Sequence, residues 1–133
     1  MAEDFQAHLD KIGFEKYLKK LKKKVKDKKV IIYGAGAYFQ YILEHYDLKS
    51  MNIIGISDLK FSSEQEGQEF LGFKIIPKEK IVEYNPDYVL VATLRYMGII
   101  EDFVLNLFDG TKIKTYPLAR VPLLQIIKSI WSN

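Results

Sequence analysis

Cysteine is absent from the 133 residues, which excludes disulfides, thiolate zinc sites and cysteine nucleophiles. Histidine is nearly absent too, with only His8 and His45, so there is little material for a metal centre and none is expected. Arginine occurs twice, at Arg95 and Arg120, in a chain that otherwise spends lysine freely. No apolar run approaches the roughly 18–20 residues of a membrane span. The opening Met1-Ala2-Glu3-Asp4 also lacks the basic-then-apolar order of a secretory signal, so a cytoplasmic protein is expected. Catalytic signatures are missing as well. None of the nine tyrosines has lysine four residues later, and there is no Gly-x-Ser-x-Gly elbow, Walker lysine or His-Glu-x-x-His pair. Whether the chain is an enzyme is left open.

What is present is one domain's length with 48% hydrophobic residues and an uneven charge. Residues 1–29 carry ten lysines against five acids, and residues 30–133 carry ten basic against twelve acidic side chains. Phe14, Tyr17, Leu18, Leu21 and Val25 recur at helical spacing opposite lysines 16 to 29, so residues 1–28 are read as a basic amphipathic helix preceding a domain over 29–133. The lysine face is read as solvated. With no arginine or exposed aromatic interleaved, nucleic acid is not expected as a partner.

From Lys29 onward short β-branched runs alternate with helical stretches. The runs are 29–33, 52–57, 73–76, 88–92 and 112–116, with helices over about 37–46, 77–84 and 97–108 and an apolar one opened by Pro122. Alternation of this kind demands parallel pairing. The expected fold is an open α/β Rossmann-like sheet of five parallel strands in the order 3-2-1-4-5, with Val30, Ile32, Ile42, Ile54, Ile56, Val89, Val91 and Val104 in the core. Ligands of such sheets bind at the carboxyl ends of the strands, here after Tyr33, Ser57 and Ala92.

The candidate site follows. Tyr33-Gly34-Ala35-Gly36-Ala37-Tyr38-Phe39 lies where a strand turns into a helix, so Gly34 serves the tight turn and Gly36 admits a phosphate to the helix N-terminus. Phe39 stands where the third small residue of a dinucleotide fingerprint would be, and a ring there widens the contact or fills the groove. The turn either holds a nucleotide or keeps the geometry and holds nothing. Asp58, 22 residues after Gly36, stands where an acid meets ribose hydroxyls and repels a 2′-phosphate, or it caps its own turn. Thr93 and Arg95 face the same mouth, and the Arg95 fork suits an anion or pairs with Glu101 or Asp102.

Lys29-Val30-Ile31-Ile32-Tyr33-Gly34-Ala35-Gly36, Gly55-Ile56-Ser57-Asp58, Gly72-Phe73-Lys74-Ile75-Ile76-Pro77 and Asp87-Tyr88-Val89-Leu90-Val91-Ala92-Thr93 together resemble a small Rossmann-type domain of bacterial surface-polysaccharide biosynthesis. It is similar to the front domain of nucleotide-sugar dehydratases and sugar acyltransferases, and to modules beside glycosyltransferases and sugar methyltransferases. The likeness covers about residues 29–116. It implies that Gly34, Gly36 and Asp58 hold NAD or the nucleotide of a sugar donor, with any catalysis lying elsewhere. Two functions remain: a nucleotide or nucleotide-sugar binding module, or a ligand-free docking domain. Leu118, Val121, Leu123, Leu124, Ile126, Ile127, Ile130 and Trp131 crowd a C-terminal segment with two charges, so a homodimer or a companion enzyme domain is expected there.

Overall fold

The computed structural model describes residues 4–121. The order is α1 (Phe5–Lys11), α2 (Phe14–Lys24), β1 (Lys29–Tyr33), α3 (Ala37–His45), β2 (Asn52–Ser57), β3 (Glu69–Phe70), β4 (Phe73–Lys74), β5 (Tyr88–Val91), α4 (Tyr96–Asp102) and β6 (Lys114–Pro117). Strands β2-β1-β5-β6 form one parallel sheet, and β3-β4 form a separate antiparallel hairpin. This is a Rossmann-like fold.

Four strands, not five, make the sheet. The residues expected as its third strand reach β2 only through one parallel bridge, Ile56 to Ile75. The hairpin takes Phe73 and Lys74 into its own pairing, and Pro77 lacks the N–H that would extend a ladder. The bridge still lies on the outer side of β2, so the order of elements follows the expected 3-2-1-4-5.

Alternation along β1 divides the core in two. Val30 and Ile32 pack with α1, α2 and α3, whereas Ile31 and Tyr33 pack with α4 on the other face. Leu118 is fully buried in the first layer, so this part of the apolar C-terminal stretch belongs to the chain's own core. The rest of that stretch, from Pro122 on, lies outside the described residues.

The basic helix is two helices. Gly13 takes a left-handed φ of 69° between α1 and α2, and Asp4 caps α1 by accepting from the Ala7 N–H at 2.9 Å. Phe14, Leu18 and Leu21 are buried beneath α2. The Tyr17 hydroxyl donates to the Pro117 carbonyl at 2.6 Å, tying α2 to the end of β6, and burial pushes that phenol up to about 12 although Arg120 opposes the shift.

Two core expectations are corrected. Val104 is 51% exposed, because α4 continues as a π-turn over Phe103–Leu107. The Phe108 N–H donates to the Phe103 carbonyl at 2.7 Å, which puts these two rings on the inner face and rotates Val104 outward. Ile54 is half-buried, since it lies on the edge strand.

Candidate functional site

The mouth of the sheet forms where β1, β2 and β5 end together, because register aligns Tyr33 with both Ser57 and Val91. Gly34 follows at φ 118°, and its N–H donates to the Ser57 carbonyl at 2.8 Å. A Cβ there would stand 2.8 Å from the Ala92 carbonyl oxygen and 2.9 Å from Thr93 Cγ2. The first glycine therefore lets two strand ends close on each other.

Gly36 behaves oppositely. It caps the N-terminus of α3, no side chain caps the helix, and a Cβ at this place would meet nothing within 4 Å. Open space in front of first-turn N–H groups is what an anion at a helix start requires. Ala37, the first helical residue, is exposed beside it.

Asp58 is bonded to the turn. Its Oδ2 accepts from the Ala35 N–H at 2.7 Å and its Oδ1 from the Lys60 N–H at 3.0 Å. Lys60 then returns to the same residue, donating from Nζ to the Ala35 carbonyl at 3.0 Å while the ammonium lies 4.6 Å from the centre of the Phe70 ring. Ala35 is thus held through both its N–H and its carbonyl by residues of the loop after β2.

Beside this clamp, on the α4 face, a cavity of about 350 Å³ is lined by Tyr33, Asp58, Leu59, Thr93, Ile99 and Phe103, with Lys78 and Asp102 at its rim 3.8 Å apart. Burial pushes the Tyr33 phenol up, and the nearby Asp58 and Asp102 carboxylates add to the shift, so its hydroxyl stays a proton donor at neutral pH. Thr93 Oγ1 is buried without a partner among the described residues. Buried hydroxyls in that state are ready for a polar ligand atom. A larger cavity of about 580 Å³ lies at the other end of the sheet, between residues 43–49 and the start of β2. It is remote from the strand carboxyl ends, where the helix start and the glycine turn supply directed donors.

The structure therefore brings Gly34, Ala35, Gly36, Ala37, Asp58 and Thr93 together. Tyr38 and Phe39 turn inward instead. Tyr38 packs edge-on against Phe5 of α1 at 5.3 Å, burial pushes its phenol up, and its hydroxyl has no partner among the described residues; Phe39 is fully buried 6.3 Å from Phe73. Arg95 is exposed at the N-cap of α4 and forms no ion pair among the described residues, Asp102 being paired to Lys78. Tyr33, Leu59, Lys60 and Phe103 were not singled out from the sequence. Only the two-residue spacing of Lys60 from Asp58 could have pointed to one of them. Among the described residues no cluster of His, Asp or Glu could hold a metal ion, and no helix is long and apolar enough to cross a membrane.

A parallel sheet with a glycine turn at its switch point and an acid at the end of the neighbouring strand defines a Rossmann-like domain. Within that class, residues 26–114 match the family described as C2185-like, N-terminal, and the chain belongs to it. No curated protein matches the sequence. Among solved structures it is similar to RSP in complex with β-NAD+ and operator DNA, at 19% identity over 89% of this chain and 61% of that one, with a TM-score of 0.46. RSP as a Rex-family repressor matches at 19% identity, 89% and 64% coverage and a TM-score of 0.46. UDP-D-quinovosamine 4-dehydrogenase from Vibrio fischeri matches at 20% identity, 77% and 85% coverage and a TM-score of 0.41. The chain thus spans less than two thirds of the RSP chains, and no residue's role passes from them to it.

The expectation that nucleic acid is not a partner is corrected. A chain that this one resembles in structure is held on operator DNA, so the exclusion does not stand. Its physical basis was also too narrow, because scarce arginine argues against reading base edges and leaves phosphate contacts untouched.

Proposed function

We propose that this chain is a nucleotide-binding module serving a surface-polysaccharide or sugar-modification pathway. The ligand is NAD or a nucleoside-diphosphate sugar. One observation carries the reading: the helix start at Gly36 is open and uncapped, and Asp58, which bonds the turn at the Ala35 N–H, also lines a 350 Å³ cavity. A diphosphate over Gly34–Ala37 would meet the first-turn N–H groups of α3, and the base would enter the cavity between Leu59 and Ile99, with Thr93 Oγ1 and the Tyr33 hydroxyl toward its polar edge. A carboxylate has about four acceptor positions, so Asp58 keeps capacity for two ribose hydroxyls after accepting its two N–H groups. Its charge disfavours a 2′-phosphate, hence NAD over NADP. The pathway assignment rests on the motif resemblance, and no residue is given a catalytic role.

A second reading, a docking domain without ligand, is favoured by one feature. Asp58 and Lys60 already grip Ala35 on both sides, so the turn is self-sufficient. Titration calorimetry with NAD+, NADP+, UDP and UDP-sugars separates the two. Binding is expected for at least one, abolished in Gly36→Val and weakened by about 1–3 kcal/mol in Asp58→Ala. Unchanged affinity in Gly36→Val removes the turn from the site, and silence with every ligand favours docking.

A further inference from the structure

Helix α2 buries Phe14, Leu18 and Leu21, and Val25 just after it is buried too, so its apolar stripe is consumed by the core. What it turns outward is lysine. At 100° per residue, Lys16, Lys19 and Lys23 form a central row, Lys20 and Lys24 one flank and Lys22 the other, with Lys26 in the turn just after the helix, so positive charge spans about 200° of the helix. Six of the seven are exposed and Lys22 is half-buried. Only Glu15 and Asp27 interrupt the lysines of residues 14–29, and among the described residues the ion pairs are Lys78–Asp102 and Lys80–Glu83, neither on this helix. One flank continues onto the sheet: the Lys24 ammonium lies 4.3 Å from the Tyr116 ring centre and Lys114 6.0 Å from that of Tyr88, the two rings being 5.9 Å apart.

From this geometry we propose that α2 is a docking ridge for the phosphate backbone of double-stranded DNA. The shape of the charge decides the partner. A flat anionic bilayer touches only the central row, and the apolar stripe that would enter it is already buried. A groove with a charged wall on each side engages both flanks. A helix about 10–12 Å across fits the B-form major groove, about 12 Å wide, whereas the A-form RNA major groove is too narrow. Binding is of phosphates without sequence preference, since lysine is the only long polar donor on the outer arc. It is independent of the nucleotide reading.

The test is fluorescence anisotropy of the full chain with a mixed-sequence 20-base-pair duplex, across salt concentrations. About six phosphate contacts, two from each of these lysine pairs, give a slope of log K against log salt of about −5.4. Lys20→Gln with Lys24→Gln, and Lys22→Gln with Lys26→Gln, are each expected to reduce that slope by about 2, as Lys19→Gln with Lys23→Gln does. Unfolding midpoints of each variant and nucleotide calorimetry on the same samples separate loss of this surface from loss of fold or of the nucleotide site. No duplex binding at 50 mM salt overturns the proposal. So do flank variants that bind as the parent does, tighter binding to phosphatidylserine vesicles, or equal binding to polyglutamate.

Discussion

Gly34 and Gly36 stand two residues apart and face opposite demands. At Gly34 the left-handed φ of 118° and the Ala92 carbonyl both exclude a side chain, so Gly34→Ala combines backbone strain with overpacking. A loss of about 2–4 kcal/mol in urea unfolding is expected. Gly36→Ala meets open space at an uncapped position and should cost under about 1 kcal/mol in the same measurement. If both cost the same, the turn geometry described here is wrong. Asp58 shows how one side chain carries several spacings at once. It was legible from the sequence as an acid at the right interval from the turn, but its bond to the Ala35 N–H depends on β1 and β2 pairing in register. The spacing of Lys60 from Asp58 was legible too, but its hold on the turn was not, since only its fold back over Phe70 brings the ammonium to the Ala35 carbonyl.

Among the elements, α1 shows what a break of one residue does. It lies across α3 through Phe5 against Tyr38 and Tyr41, with Gln6 accepting from the Tyr41 hydroxyl at 2.7 Å. His8 is carried into this contact, and burial, with Lys11 adding to it, lowers the histidine below its ordinary 6.5. The unfolded chain then binds more protons than the folded one as pH falls from 6.5 toward the lowered value. The stability held by neutral His8 is therefore complete above about pH 6.5 and is lost through that window. Unfolding midpoints from pH 7.5 to 5 should drop less in His8→Gln than in the parent, and parallel curves would mean that α1 does not bury the ring. The π-turn after α4 is a second device of this scale. Its wider period seats Phe103 and Phe108 together, which a regular 3.6-residue pattern assigns to Val104 instead.

For the whole molecule, two layers on one four-stranded sheet leave the carboxyl ends of β1, β2 and β5 as the single mouth fed by a glycine turn. A ligand there bridges the loops of three strands and stabilises the whole unit. At a hundred times its dissociation constant it adds about 2.7 kcal/mol, so a thermal-shift assay should rise by several degrees with the nucleotide that calorimetry identifies. A calorimetric binder that leaves the melting temperature unmoved binds somewhere that does not couple the strands.

The sequence by itself determined the three strands whose ends form the mouth, their parallel sense and the position of the glycine turn, because these follow from local periodicity, chirality and crossover length. Residues 29–33, 52–57 and 88–92 read as buried runs and are strands, or end one, in the structure. Tertiary structure alone decided the rest. The third run left the sheet because a hairpin competed for its hydrogen bonds, and Gly55 is required because a side chain there would run into Ile76, a contact between residues of different segments. The inward turn of Phe39, the cavity beside Asp58 and the solvent arc of α2 likewise depend on which neighbour covers each face. Periodicity specifies that a face is apolar, and only packing specifies what meets it.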